Sequence, residues 1–240
     1  MVVFALLFRI PRRKVVKMKK LLLVGLWLSL VTVVLAEVVA EYDAGKARTT
    51  SGGGLVVPDS KGSFDLLVQD AAGITIGERP EDGQDTKSLL FSGSQVGVLR
   101  TENGFPSPTG RCGVELIAKL GAGDPEREAT LLRYGTTWEL RYTPKVGALS
   151  FIIWHSPEVY STVSVPADED KWLNVKAGFD GNQLTLEVSG ERSSTAAKDA
   201  MRSEPSSTNL VVGSSAPKPI DGEVQRPFFG ALAEIKVSIE

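Results

Sequence analysis

The chain has 240 residues, 27 Lys+Arg against 29 Asp+Glu, one histidine and one cysteine. With 42% hydrophobic residues it can bury a full core, which excludes a disordered chain, and with one cysteine it can form no internal disulfide. All seven basic residues of the first 36 come without a single Asp or Glu, so residues 37–240 carry 20 basic against 29 acidic side chains, a net of −9. That balance argues against nucleic acid and against an anionic membrane as partners, since both call for a basic surface.

The N-terminus reads as a secretory signal. Arg9, Arg12, Arg13, Lys14, Lys17, Lys19 and Lys20 precede the apolar run LLLVGLWLSLVTVVLA, 21–36. Val34-Leu35-Ala36 places small residues where a signal peptidase cuts, and Val38-Val39-Ala40 is a second candidate. The run is shorter than the roughly 18–20 residues that cross a bilayer, so a cleaved signal over 1–36 is expected rather than an anchor. Met18 opens a more ordinary signal, MKKLLLVGLW, and is an alternative start. No cysteine follows the run, so lipoprotein processing is not indicated. Export without disulfides suits a periplasm or a bacterial exterior. A single domain is expected over 37–240, monomeric and free of membrane once the signal is removed.

Beyond the signal, short alternating segments follow one another, separated by Gly, Pro, Asn, Asp and Ser. Strands are expected at 38–42, 64–68, 74–77, 88–91, 95–100, 113–120, 130–134, 137–142, 148–154, 160–165, 172–179, 183–189, 209–213 and 231–239. Segments 51–62 and 80–85 read as loops, and 190–207 as a polar connection with a short helix at 195–202. The rhythm predicts an all-β, two-sheet antiparallel sandwich. The clearest unit is WLNVKAGFDGNQLTLEVSG. Leu173, Val175, Ala177 and Phe179 alternate in one arm, and Leu184, Leu186 and Val188 in the other. Asp180-Gly181-Asn182 makes the turn between them. Cys112 shares a strand face with Val114, Leu116, Ala118 and Leu120 and reads as a buried structural thiol. Segment 148–154 is apolar on both faces, with Leu149, Phe151 and Ile153 on one and Ile152 and Trp154 on the other. A strand of that kind is covered on both sides, by a loop, a ligand or a partner.

The order of SLLFSGSQVGV, GVELIAKL, Trp172, Gly190, LVVGSS and FFGALAEIKV resembles the laminin G-like jelly-roll domains of the concanavalin A-like lectin/glucanase superfamily. The resemblance covers nearly all of 37–240 and implies non-catalytic recognition of a carbohydrate or an extracellular protein. Ala233 stands where such domains carry an acidic residue in the last strand, which puts a family calcium site in doubt.

The candidate ligand contacts are Trp154, His155 and Tyr160, clustered around the turn HSPEVY, because sugar sites combine aromatic faces with a few fixed polar groups. Arg133, Arg141 and Asn209 are further polar candidates. Candidate calcium ligands are Asp70, in a D-x-x-G stretch, and Asp168 and Asp170, in the acid cluster before Trp172. For each of these acids a turn or a solvated loop is the competing reading. No cofactor other than calcium is suggested.

No catalytic constellation is visible. A retaining glycosidase needs two carboxyls about 5 Å apart, and on a sandwich they come as closely spaced acids on one strand, a spacing this chain lacks. His155 is the single histidine, and no serine sits in a nucleophile elbow. A binding module is therefore expected rather than an enzyme. A structural envelope protein and a glycan-active hydrolase are the alternatives.

Overall fold

The computed structural model describes residues 36–79, 86–205 and 207–240. The signal expected over 1–36 and the loop expected at 80–85 fall, apart from Ala36, outside the described residues. The described residues form two antiparallel sheets packed face to face, the sandwich that the alternation predicts.

The strands are numbered in chain order. One sheet runs β15 (Glu191–Ala196), β14 (Gln183–Val188), β13 (Trp172–Phe179), β8 (Cys112–Leu120), β17 (Phe229–Ile239), β6 (Lys87–Ser92) and β5 (Ile74–Glu78). β1 (Glu37–Asp43) pairs with the second half of β17, beyond the stretch that pairs with β6. The other sheet runs β12 (Tyr160–Pro166), β11 (Ala148–Trp154), β10 (Trp138–Thr143), β9 (Ala129–Tyr134), β16 (Leu210–Val212), β7 (Leu99–Thr101), β4 (Leu66–Val68), β3 (Leu55–Val57) and β2 (Arg48–Thr49).

The period-2 pattern decides which side of each strand faces the core. On β8, Cys112, Val114, Leu116, Ala118 and Leu120 are buried while Glu115 is exposed. Leu149, Phe151 and Ile153 of β11 and Trp138, Leu140 and Tyr142 of β10 are buried from the opposite sheet. Each fully buried side chain of this size contributes about 1.5–3 kcal/mol. Rings run through the core in succession, with Tyr134 and Phe151 each 6.4 Å from the Trp138 centroid. Phe105 lies beyond Tyr134 at 5.9 Å.

Gly230 shows why the second residue of β17 is a glycine. Its φ is +143°, and a Cβ there would stand 2.2 Å from the Lys119 carbonyl oxygen, so β8 and β17 can approach only without a side chain.

Three local expectations fail. Of the strand expected at 95–100 only the end forms, as Leu99–Thr101, and 95–98 is a bend. Segment 191–196 is a strand rather than the entry to a helix, paired along β14 from Glu191↔Val188 to Ala196↔Gln183. Ser189 and Gly190, at φ +49° and +95°, make the tight turn between them, and no helix forms at 195–202. The segment has no apolar helical face, so extending an existing sheet satisfies its backbone better. Segment 51–62 is not all loop: Leu55 and Val57 are buried in β3.

Candidate functional site

The site lies on the outer face of β9–β12. Residues facing the core on these strands are apolar, and the ones between them face outward. Registers Arg133↔Glu139 and Glu139↔Ile152 therefore set Arg133, Glu139 and Ile152 in a row across three strands. Trp154↔Tyr160 continues the same face at the end of β11 and β12. A bulge in β9 opposite Leu140 and Arg141 turns Thr130 outward too. Its hydroxyl donates to Glu139 Oε1 at 2.6 Å.

Glu139 is the anchor of the site. It is completely buried and lies among three guanidinium groups. Arg141 grips it with Nε to Oε1 at 3.2 Å and Nη2 to Oε2 at 3.1 Å, and gives its Nη1 to Glu128 at 3.1 Å. Arg226 stands 3.5 Å from Glu139 and 3.4 Å from Glu128. Arg133 is 3.7 Å from Glu139, donates through Nε to the Gly135 carbonyl, and lies 5.2 Å over the Trp154 ring. Burial alone would raise the Glu139 carboxyl. The hydrogen bonds and charge of Arg141, with Thr130 and Arg133, outweigh it and hold Glu139 below its ordinary value. Burial pushes Arg133 down, reinforced by Arg226 and Arg141 and opposed by Glu139.

Two connections close over this row. Arg202 arrives because its amide donates to the Trp154 carbonyl at 2.9 Å. Arg226 arrives because its carbonyl accepts from the Thr130 amide at 3.1 Å, and it holds a left-handed φ of +46° to do so. The result is a cleft of about 430 Å³, lined by Arg133, Arg141, Arg202 and Arg226 with Trp154 and Tyr160, and by no acidic side chain. Tyr160 is 48% exposed, and Trp154 is half-buried.

The three expected ligand contacts divide. Trp154 and Tyr160 line the cleft. His155 does not, because both its nitrogens are taken. Nδ1 meets the Ala200 carbonyl at 2.9 Å, and Nε2 meets Ser161 Oγ at 2.8 Å. Ser161 Oγ also accepts from the Lys198 amide. His155 thus pins the 198–202 segment beside Trp154. Of the further candidates, Arg133 and Arg141 join the site, whereas Asn209 spends its amide on the Thr101 carbonyl. Arg202 and Arg226 line the cleft and Glu139 lies buried beneath it, and none of the three was singled out as a site residue from the sequence.

The acids expected to hold calcium have local tasks. Asp70 Oδ1 accepts from the Ala72 amide at 3.0 Å. Asp168 pairs with Lys171 at 2.7 Å, and Glu169 accepts from the Tyr142 hydroxyl at 2.9 Å. Asp170 takes a left-handed φ of +60° and donates its amide to Leu120. Among the described residues no group of three or more His, Cys, Asp or Glu is arranged to hold a metal ion. The acid cluster forms a turn before β13.

The outer face of the other sheet differs in kind. A depression of about 200 Å³ there is lined by Glu115, Lys176, Glu234 and Lys236, with no aromatic ring. Its charges cancel, and Lys176 already pairs with Glu115.

No protein-family model matches the chain, and no curated protein matches it in sequence. Solved structures do match. The binding domain of botulinum neurotoxin serotype D aligns with a TM-score of 0.59 at 12% identity, over 85% of this chain and 48% of that one. The binding domain of Paraclostridial Mosquitocidal Protein 1 gives 0.57 at 11%, over 84% and 48%. This chain thus spans about half the length of these toxin domains. Domain 4 of AbnA, a GH43 extracellular arabinanase from Geobacillus stearothermophilus solved in complex with arabinotriose, gives 0.59 at 15% identity, over 85% of this chain and 93% of that domain. At these identities the likeness is one of fold, and the chain shares its two-sheet β-sandwich with domains of toxins and of a glycan-degrading enzyme.

Proposed function

We propose that the chain is an exported, non-catalytic recognition module of laminin G-like type that binds carbohydrate in the Trp154 cleft. The observation that carries this reading is the half-exposed aromatic pair Trp154 and Tyr160 beside fixed guanidinium donors, on one outer face of a rigid sandwich. Sugars bind where a ring can stack and a few polar groups fix orientation. The arabinanase domain solved with arabinotriose lends support, because it has the same sandwich at nearly the same length. The basic-then-apolar N-terminal segment supports secretion or the cell-envelope exterior. A catalytic role is disfavoured by the state of Glu139. A general acid must reach the glycosidic oxygen with its proton, and Glu139 is inaccessible and held ionised by its arginines.

The test is a glycan and polysaccharide panel on the purified chain, run with calcium and with chelator. Saturable binding that Trp154→Ala abolishes supports the reading and locates the face. Binding to no glycan rejects it in favour of an extracellular protein ligand or a structural role. Loss of binding in chelator would assign a calcium requirement.

A further inference from the structure

The cleft has more positive charge than its own structure uses. Four arginines face it, and two carboxylates, Glu139 and Glu128, answer them. Arg141 is fully committed, bidentate to Glu139 and bonded to both oxygens of Glu128. The other three are not. Arg226 makes only long ion pairs, at 3.4 and 3.5 Å, and Arg133 a longer one at 3.7 Å. Arg202 is half-buried, and its guanidinium has no hydrogen-bond or ion-pair partner among the described residues. A neutral sugar laid over Trp154 would strip water from these cations and return no charge, which is costly. An anionic group returns it, and the planar fork of arginine matches a carboxylate or sulfate with two parallel hydrogen bonds.

We propose, building on the glycan reading, that the cleft selects an acidic saccharide bearing a carboxylate or a sulfate. The sugar ring packs against the parts of Trp154 and Tyr160 that Arg133 and Lys198 leave open, and the anion is clamped by Arg202 with Arg133 and Arg226. The rest of the surface limits the length of the ligand. Residues 37–240 have a net charge of −9, so a long polyanion would be repelled beyond the cleft. The site takes a short acidic unit, at a chain end or flanked by neutral sugars.

The experiment titrates the purified chain calorimetrically with two matched pairs. One is a galactose oligosaccharide ending in a single galacturonate and its carboxyl-reduced, all-galactose counterpart. The other is a sulfated galactan oligosaccharide and its desulfated form. Each is measured at low and high salt, with wild type, Arg202→Ala and Trp154→Ala. The expected result is that one acidic member binds about tenfold to a hundredfold tighter than its neutral partner. That binding weakens with salt and is lost in Arg202→Ala, whose melting temperature is unchanged. Which pair shows the difference separates carboxylate from sulfate. Equal binding of acidic and neutral members overturns the charge selection and leaves the glycan reading standing. Selective binding that survives Arg202→Ala overturns the assignment to this cleft. Binding of no member overturns this proposal, and a negative neutral-glycan panel is then what overturns the broader reading. The salt dependence and the matched pairs decide the question even where a variant folds poorly.

Discussion

Glu139 gathers the cleft, and its chemistry predicts how the protein responds to acid. It is completely buried, so its charge is tolerable only because Arg141, Thr130, Arg133 and Arg226 surround it. A carboxyl whose folded value lies below its unfolded one contributes stability that is present above the ordinary glutamate value, about 4.3. That stability is lost as pH falls through the lower folded value. Glu139→Gln removes the charge and leaves three arginines facing one another. The variant is expected to lose about 3–5 kcal/mol in denaturant unfolding at neutral pH, and its stability should fall less steeply below pH ~4. An acid limb that overlays that of wild type would show that Glu139 is not the ionised anchor. Trp154 and Tyr160 were legible in the sequence because the two-sided apolar pattern of β11 and the short turn after it bring them together. Arg202 and Arg226 were not, because they reach the cleft through backbone bonds to Trp154 and Thr130, partners far away in sequence.

Strands in the middle of each sheet were read from their alternation, and the misreadings lie where alternation carries no burial signal. β8, β10, β11 and β13 each bury one full face, so the pattern is forced on their sequences. β15 lies at a sheet edge with its side chains exposed or half-exposed, and only the Ser189-Gly190 turn marks it. β3 is three residues long, too short for a period to show. Gly230, second in β17, is part of the motif that carries the family resemblance, and the structure supplies its reason. Gly230→Ala forces a Cβ to within 2.2 Å of the Lys119 carbonyl at a φ that L-residues rarely adopt. Gly222, at φ +81° with open space around it, isolates the backbone part of that cost. Gly222→Ala is expected to cost about 1 kcal/mol and Gly230→Ala about 3 kcal/mol or more. Equal losses in urea melts would mean that β8 and β17 can separate freely, against the close approach described.

The molecule as a whole folds without covalent staples, and its one thiol can report on that. Cys112 opens β8, between β13 and β17, with Phe179 and Ile239 as its register partners. Its side chain is buried, and burial pushes the thiol up to about 12. Thiolate, not thiol, attacks labelling reagents, so the native state offers both a closed path and the wrong protonation state. Labelling must then wait for Met201 to lift or for β8 to come away from its neighbours, and that strand joins the two halves of the eight-stranded sheet. The Met201 thioether covers the thiol at 4.0 Å, so labelling reports on opening of the 198–202 segment as well as on global opening. The expected outcome is that a thiol-reactive chromophore leaves the folded chain unlabelled at neutral pH over hours. Added urea should bring labelling on in step with loss of the tryptophan signal. Reductant alone should leave the tryptophan unfolding curve unchanged, since one cysteine forms no internal disulfide. Fast labelling in buffer would mean that the Met201 cover or the start of β8 opens outside the cooperative core, a looser arrangement than the packing of Leu116, Val175 and Ile235 implies.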